Sequence, residues 1–209
     1  MNNKEIVITS ALRTAVGSLG KSLKNVNAYE LGAEVLIKSL NTSKLKSEEV
    51  DEIIMGQVLT GGAGQNPARQ AAIKSGIPIE KPAYIVNQVC GSGIRSVASA
   101  FQSIKSGDSK IVLAGGQESM SLAPHAIHLR DGKKLGNVEM TDTMIKDGLW
   151  DAFHGYHMGV TVENVAEKFQ VTREDQDKFA LKSQEKALKA LKENKFKDEI
   201  IDFIIKSKK

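Results

Sequence analysis

The stretch from Ala83 to Ser106 decides the fold, and it reads AYIVNQVCGSGIRSVASAFQSIKS. Its first four residues form a short apolar run, which is typical of a buried strand. A segment rich in small residues begins at Cys90 and is closed by Gly107, which predicts a helix with a glycine just past its end. This stretch therefore predicts a strand, a tight turn and a helix, with Cys90 at the junction.

The same alternation of strands and helices extends on both sides of this stretch. Asn66 can cap a helix whose first turn suits Pro67, and Gly76 ends that helix. Because strands alternate with helices over the first 115 residues, we expect an α/β sheet packed by helices. The predicted strands are 5–9, 50–59, 83–86 and 110–114, and the predicted helices are 28–40, 66–76 and 90–106.

The pattern of residues in the sequence changes after Gly116. Residues 117–160 carry Met, His, Gly and Asp without clear periodicity, and so long an irregular segment is usually functional. A helix is predicted over 172–193, with Thr172 as its N-cap and acidic residues in its first turn. Residues 200–205 predict a last strand.

The composition limits the classes of protein to which the chain can belong. Of its 209 residues 41% are hydrophobic and 26% charged, which is typical of a soluble globular protein. No apolar run is long enough to span a bilayer, and residues 1–5 lack a signal-peptide core. The single cysteine excludes an intramolecular disulfide framework and a cysteine-rich zinc site. We therefore expect a cytoplasmic protein without a membrane partner.

The positive charge is concentrated at one end of the chain. The net charge is +4, from 29 basic and 25 acidic residues, and residues 178–209 hold 10 Lys against 5 acids. A basic segment can attract nucleic acid, but these lysines alternate with Glu and Asp along a helical pattern. We interpret the segment as a solvated helix face and expect no nucleic-acid partner.

Cys90 is the candidate for chemistry that the residues alone suggest. A helix N-terminus carries unpaired N–H groups and partial positive charge, which favours the nucleophilic thiolate. Gly91 and Gly93 permit a sharp turn, and the N–H groups there could hold an oxyanion. A lone cysteine is equally compatible with a small buried apolar residue. The residues by themselves leave both interpretations open.

Seven collinear segments resemble the thiolase family, of the acetyl-CoA acetyltransferase type. The resemblance extends over nearly the whole chain. The segments are Ala11–Thr14 with Gly17, Gly64–Gln70, Asn87–Val97, Ala114–Ser121, Asp147–Leu149, Gly155–Gly159 and Glu163–Ala166.

The resemblance implies a fold, a reaction and site residues. It implies a thiolase-like fold, with a mixed sheet packed by helices over residues 1–116 and a partial coenzyme A-covering loop domain over 117–209. Cys90 matches the nucleophile that accepts an acyl group as a thioester. Leu149, His157 and Met158 match positions that line the pantetheine pocket. The implied substrates are acetyl-CoA and acetoacetyl-CoA, which are interconverted by condensation or thiolysis, with no separate cofactor.

The four histidines permit a weaker alternative. His125, His128, His154 and His157 form two His-x-x-His pairs in the irregular segment, and Asp151 lies nearby. No His-Glu-x-x-His helix motif is present, and the thiolase match assigns His157 to coenzyme A. We therefore expect no metal site.

The chain departs from the family pattern in its length. It is about half as long as thiolases usually are, and it has no Gly-His-Pro segment and no second cysteine. We therefore expect an incomplete or split subunit that is inactive alone and that pairs with a C-terminal thiolase half or forms a homo-oligomer. The alternative is a non-catalytic truncated thiolase that binds coenzyme A or pairs with an intact thiolase subunit.

Overall fold

The computed structural model describes residues 5–205. A parallel sheet lies at the centre of the fold. Within those residues the sheet has three strands in the order β2-β1-β3, and β1 pairs in parallel with both neighbours. The α/β class predicted from the sequence is confirmed, and the described strands of this sheet all run in one direction. The strands are β1 (Glu52–Gly56), β2 (Ala83–Val86) and β3 (Val112–Gly116).

Two helices cover one face of the sheet. They are α1 (Ala28–Ser43) and α2 (Pro67–Lys74). Ile53 and Met55 of β1 point to this face and pack in a core with Leu36 and Leu40 of α1. Small residues of α2 complete the core and allow the two helices to lie close together, namely Ala68, Ala71 and Ala72.

Helix α2 begins as the sequence predicts, with Asn66 as its N-cap and Pro67 in its first turn. Asn66 has a left-handed backbone, with a φ of 41°, and its Oδ1 accepts a hydrogen bond from the Arg69 N–H at 3.1 Å. Its Nδ2 donates to the carbonyl of Ala83 at 2.8 Å, and the Arg69 guanidinium donates to the carbonyls of Ile79 and Lys81. These contacts fix the entry to β2, which leads towards Cys90.

The opposite face of the sheet is covered by α3 (Ser92–Ser106). A Cβ built on Gly56 would lie 2.4 Å from the carbonyl carbon of Ser92, so only glycine permits this approach of β1 to the helix. The Ser96 Oγ lies 2.6 Å from the carbonyl oxygen of Gly93 and 2.7 Å from that of Gly115. The beginning of α3 is therefore fixed against the carboxyl ends of β1 and β3.

Beyond the sheet the chain forms two small hairpins and two helices. A π-helical turn, Met144–Leu149, lies between the hairpins, and no helix among residues 5–205 is both long and apolar enough to cross a membrane. The hairpins pair β4 (His125–Ala126) with β5 (Thr141–Asp142) and β6 (Trp150–Asp151) with β7 (Tyr156–His157). The helices are α4 (Met158–Lys168) and α5 (Arg173–Lys192).

Two predicted strands are wrong, and several bounds differ. Residues 5–9 are irregular, with Val7 65% and Ile8 77% exposed, and residues 201–205 form no strand. An apolar run of β-branched residues indicates a propensity to form a strand, but a strand also needs the edge of a neighbouring strand with which to pair. Ile200 contributes only an isolated bridge to Arg13. The predicted helix over 90–106 begins at Ser92, and the strand over 110–114 lies two residues later.

Candidate active site

Cys90 lies on a strained turn between β2 and α3. The residue before it, Val89, has a φ of 49°, which places a β-branched side chain in the left-handed region. Such a conformation is a genuine outlier, and it persists only where the surroundings enforce it. Strained residues of this kind cluster at functional sites, so the turn is itself an indication of function.

The turn is held by hydrogen bonds from both of its ends. The Val89 N–H donates to the Asn87 Oδ1 at 2.9 Å. The Ser92 Oγ accepts from the Gln88 N–H at 2.9 Å and donates to the Val89 carbonyl at 2.6 Å. Ser92 is 4% exposed, so the hydroxyl that makes two of these bonds is buried, and the network fixes the position of Cys90.

Cys90 is a free cysteine and is exposed. It therefore is not the buried apolar residue that the sequence left open. The N–H groups of Gly91 and Ser92 donate to the carbonyls of Gln88 and Val89 at 3.0 Å each. Because these two donors are already used within the turn, Gly91 is not a free oxyanion donor, whereas the Gly93 N–H stays a predicted one.

The carboxyl ends of the parallel strands converge beside this turn. Gly56 and Gly116 are paired at the end of the sheet, and a Cβ on Gly116 would lie 3.3 Å from the Gly93 Cα. Ligands of open α/β sheets bind outside the carboxyl ends of the strands. Cys90 therefore lies at the edge of the sheet where a substrate is expected.

The hairpin formed by β6 and β7 brings Leu149, His157 and Met158 together. Trp150 pairs with His157, so Leu149 and Met158 flank this pair at the open end of the antiparallel hairpin. Leu149 is half-buried, whereas His157 and Met158 are exposed. The three side chains predicted to line one pocket thus share one end of one hairpin.

His157 also has a structural role that the sequence analysis did not detect. Its Nδ1 accepts a hydrogen bond from the Gly159 N–H at 3.0 Å, so this side chain caps the N-terminus of α4. Capping side chains are usually Ser, Thr, Asp or Asn, and a histidine therefore gave no signal for a helix start. Residues 117–160 were predicted to be irregular because they lack clear periodicity, so the start of α4 at Met158 was missed.

Glu118 is a second residue that the sequence analysis missed. It follows β3 by two positions, and its Oε2 accepts from the Val58 N–H at 2.8 Å. The Leu59 N–H donates to the Oε1 of the same carboxylate at 3.2 Å. Burial raises the pKa of Glu118, while the backbone donors oppose the rise. A carboxylate four positions after the strand predicted over 110–114 was the available signal.

Two of the four histidines lie near a carboxylate, and the histidines form no metal-binding cluster in residues 5–205. His154 Nδ1 lies 2.9 Å from the Asp151 Oδ2, and His125 Nε2 lies 3.8 Å from the Asp142 Oδ2. Hydrogen bonds from the His154 backbone and side chain hold the pKa of Asp151 below its usual value. No group of three or more His, Cys, Asp or Glu that could hold a metal occurs in residues 5–205. That no metal is required stays a prediction.

Comparison with known proteins identifies the family. A family model described as the N-terminal domain of thiolase matches residues 6–209. The chain is 57% identical to an acetyl-CoA acetyltransferase of Rhizobium meliloti and 55% identical to one of Shinella zoogloeoides, and it covers 53% of each. In both comparisons the whole of this chain is aligned. The chain belongs to the thiolase family.

A solved structure confirms the thiolase-like fold. The crystal structure of the acetyl-CoA acetyltransferase of Bacillus anthracis matches 97% of this chain with a TM-score of 0.93 and 38% identity. The match covers 51% of that protein. A cytosolic acetyl-CoA acetyltransferase of Mus musculus is 50% identical over 204 residues. The chain thus spans about half the length of the proteins it matches.

Proposed function

We propose that this chain is the nucleophile-bearing half of an acetyl-CoA acetyltransferase. One observation carries the proposal, namely the exposed Cys90 on the strained turn at the carboxyl end of a parallel sheet. Relatives that carry the name acetyl-CoA acetyltransferase support it, because at least half of their aligned residues are identical to this chain.

The reaction has two steps that balance. The Cys90 thiolate attacks the thioester carbonyl of acetyl-CoA, a new C–S bond to Cys90 forms, and coenzyme A leaves as a thiolate that takes up a proton. A base of the partner polypeptide then takes a proton from the methyl group of a second acetyl-CoA, and the resulting carbanion attacks the acyl carbon. The bond to the Cys90 sulphur breaks, and acetoacetyl-CoA is released. Thiolysis is the same sequence in reverse.

The pantetheine chain of the substrate is proposed to lie along the hairpin of β6 and β7. Leu149 and Met158 supply apolar surface for the pantetheine chain, and His157 supplies a polar contact. The positions of these residues at one end of the hairpin support this assignment. The domain division at residue 116 and a cytoplasmic location stay predictions.

A partner polypeptide is part of the proposal. Cys90 is the only cysteine, and the four histidines all lie between residues 125 and 157, so no Gly-His-Pro base and no second cysteine is available in the 209-residue chain. Exposed apolar side chains on α3, such as Ile94 at 74% and Phe101 at 53%, support association with a second chain. A homo-oligomer is a further possibility that the same surface allows.

The test is reconstitution of turnover. The chain is mixed with a polypeptide that supplies the remaining half of the Rhizobium meliloti relative, and thiolysis of acetoacetyl-CoA is followed. We expect turnover from the mixture and not from either part, and no turnover with Cys90→Ser. Glu185→Gln, exposed on α5, is the control that leaves turnover unchanged. Turnover that survives in Cys90→Ser would refute the assignment.

The alternative function is a non-catalytic one. A truncated thiolase that only binds coenzyme A, or only pairs with an intact subunit, would form a complex in the same mixture but give no turnover. Retention of the chain on immobilised coenzyme A together with an inactive mixture would favour this alternative.

A further inference from the structure

Glu118 connects the ends of two strands beyond the point where their backbones pair. The ladder between β1 and β3 ends at Gly56 and Gly116, followed by one hydrogen bond from the Gln117 N–H to the Gly56 carbonyl at 2.9 Å. The Glu118 carboxylate then accepts from the Val58 and Leu59 N–H groups, at 2.8 Å and 3.2 Å. The Glu118 side chain thereby links the segments that follow β1 and β3, where backbone hydrogen bonds no longer join them.

A buried amide pair strengthens the same connection. The Gln117 Nε2 donates to the Gln57 Oε1 at 2.9 Å, and the Gln57 Nε2 donates to the Leu59 carbonyl at 2.9 Å. Because the Leu59 carbonyl can only accept, it fixes the orientation of both amides. The backbone of Leu59 is therefore held through its N–H by Glu118 and through its carbonyl by Gln57.

The side chain of Leu59 links this hydrogen-bond network to the candidate substrate site. Leu59 is 9% exposed, and its Cδ2 lies 3.5 Å from the position that a Cβ on Gly148 would take. A side-chain carbon on Gly148 would thus be in ordinary van der Waals contact with Leu59, so the two residues are neighbours. Gly148 precedes Leu149, which is the half-buried member of the proposed pantetheine wall.

A carboxylate suits this role better than any other side chain. The two carboxylate oxygens together accept from the Val58 and Leu59 N–H groups, whereas an amide would offer these donors one oxygen only. The group is half-buried, and hydrogen bonds from backbone donors stabilise its charged form. Removal of the carboxylate would leave the Leu59 N–H buried without its partner.

From these contacts we propose that Glu118 is a positioning residue for thioester binding, which acts by holding the backbone of Val58 and Leu59 against Gly148 and Leu149. The proposal rests on the proposed function, since it concerns the same pantetheine wall. It assigns no contact between Glu118 and the substrate.

The first test measures the connection itself in the 209-residue chain. Amide hydrogen exchange is followed by NMR in the unchanged chain, in Glu118→Ala and in Glu118→Gln, with Glu185→Gln as control. We expect Glu118→Ala to speed exchange about tenfold or more at Val58, Leu59 and Leu149 while the core residue Ile53 stays protected. Faster exchange at Val58 and Leu59 with Leu149 unchanged would overturn the proposal.

Glu118→Gln keeps the test informative if Glu118→Ala fails to fold. Its amide oxygen can take the place of Oε2, which accepts from the Val58 N–H at 2.8 Å and from the Leu59 N–H at 3.4 Å, while the 3.2 Å bond from Leu59 to Oε1 is lost. We expect a folded variant with intermediate exchange at Leu59 and Leu149. Exchange in Glu118→Gln that equals the unchanged chain at both residues would overturn the proposal.

The second test measures binding in the reconstituted mixture with acetoacetyl-CoA. We expect Glu118→Ala to raise KM about tenfold and to change kcat by less than about twofold, because the wall is displaced and the nucleophile is not. Alkylation of Cys90 by iodoacetamide, a small reagent that needs no pantetheine wall, is expected to stay unchanged. An unchanged KM would overturn the proposal alone, whereas absence of turnover in the unchanged chain would overturn the proposed function.

Discussion

Ser92 holds Val89 twice, because its backbone N–H and its Oγ both donate to the Val89 carbonyl, at 3.0 Å and 2.6 Å. The same Oγ accepts from the Gln88 N–H at 2.9 Å. One buried hydroxyl therefore closes the turn from which Cys90 projects. The left-handed conformation of Val89, and with it the position of the proposed nucleophile Cys90, depends on the first turn of the following helix.

Loss of this hydroxyl is expected to loosen the turn. Ser92→Ala leaves the Gln88 N–H without a partner and should lower the free energy of unfolding by about 1–3 kcal/mol. Urea unfolding followed by circular dichroism measures this change. Ser99→Ala, half-buried on the same helix, is the control and should cost less than about 1 kcal/mol. Equal losses in the two variants would contradict the special role of Ser92.

Glycine at position 56 is expected to be irreplaceable, whereas glycine at position 115 is not. A Cβ on Gly56 would lie 2.4 Å from the Ser92 carbonyl carbon and 2.6 Å from the Gly93 N, so the helix must move away from the sheet. Gly56→Ala should destabilise the fold by about 3 kcal/mol. A Cβ on Gly115 meets nothing within 4 Å, and Gly115→Ala should cost less than about 1 kcal/mol. Thermal unfolding of both variants checks this contrast, and similar melting temperatures would contradict it.

The two roles of His157 can be separated by substitution. His157→Ala removes the cap of α4 and should cost about 1 kcal/mol of stability. His157→Asn restores a capping side chain but not the imidazole ring, so it should recover the stability and not the proposed contact to pantetheine. Chemical unfolding reports the cap, and KM for acetoacetyl-CoA in the reconstituted mixture reports the contact. A normal KM in His157→Asn would show that the cap is the only role of His157.

Asp51 is expected to make the stability of the fold depend on pH in the acidic range. Its Oδ2 accepts from the Lys110 and Ile111 N–H groups, at 2.7 Å and 3.0 Å, and these bonds hold the pKa of Asp51 below its ordinary value of 3.8. Because the folded pKa is lowered, the stabilisation is present above the ordinary value and is lost as the pH falls through the folded pKa.

Asp51→Asn should therefore be less stable than the unchanged chain at about pH 7, and the gap should narrow at about pH 3. Urea midpoints at the two pH values measure this. Asp131→Asn, exposed in the loop between β4 and β5, should show no such gap. A gap for Asp51→Asn that is the same at both pH values would contradict the account.

Local signals in the sequence predicted the elements that are stabilised locally. Thr172 caps α5 through the Asp175 N–H at 3.1 Å, as the acidic first turn indicated, and the strand at 83–86 has the predicted bounds. Residues 5–9 and 200–205 were predicted wrongly because an apolar run does not reveal whether a pairing edge is available.

The candidate site was predicted in part for a similar reason. Cys90 could be found because a strand, small residues and a helix follow one another in the sequence. The strain at Val89 could not, because a β-branched residue is the least expected residue at a positive φ. The bond from Glu118 to Val58 joins residues 60 positions apart and becomes visible only when β1 and β3 are neighbours.

The most direct test of the central claim is the chemical state of Cys90 after exposure to acetyl-CoA. The reconstituted mixture is incubated with acetyl-CoA, quenched in acid and digested, and the peptide that contains Cys90 is examined by mass spectrometry. The account predicts one acetyl group on the Cys90 sulphur, which is lost again when free coenzyme A is added. An unmodified Cys90 in a mixture that turns over acetoacetyl-CoA, or acetylation only at lysines, would contradict the assignment of Cys90 as the nucleophile.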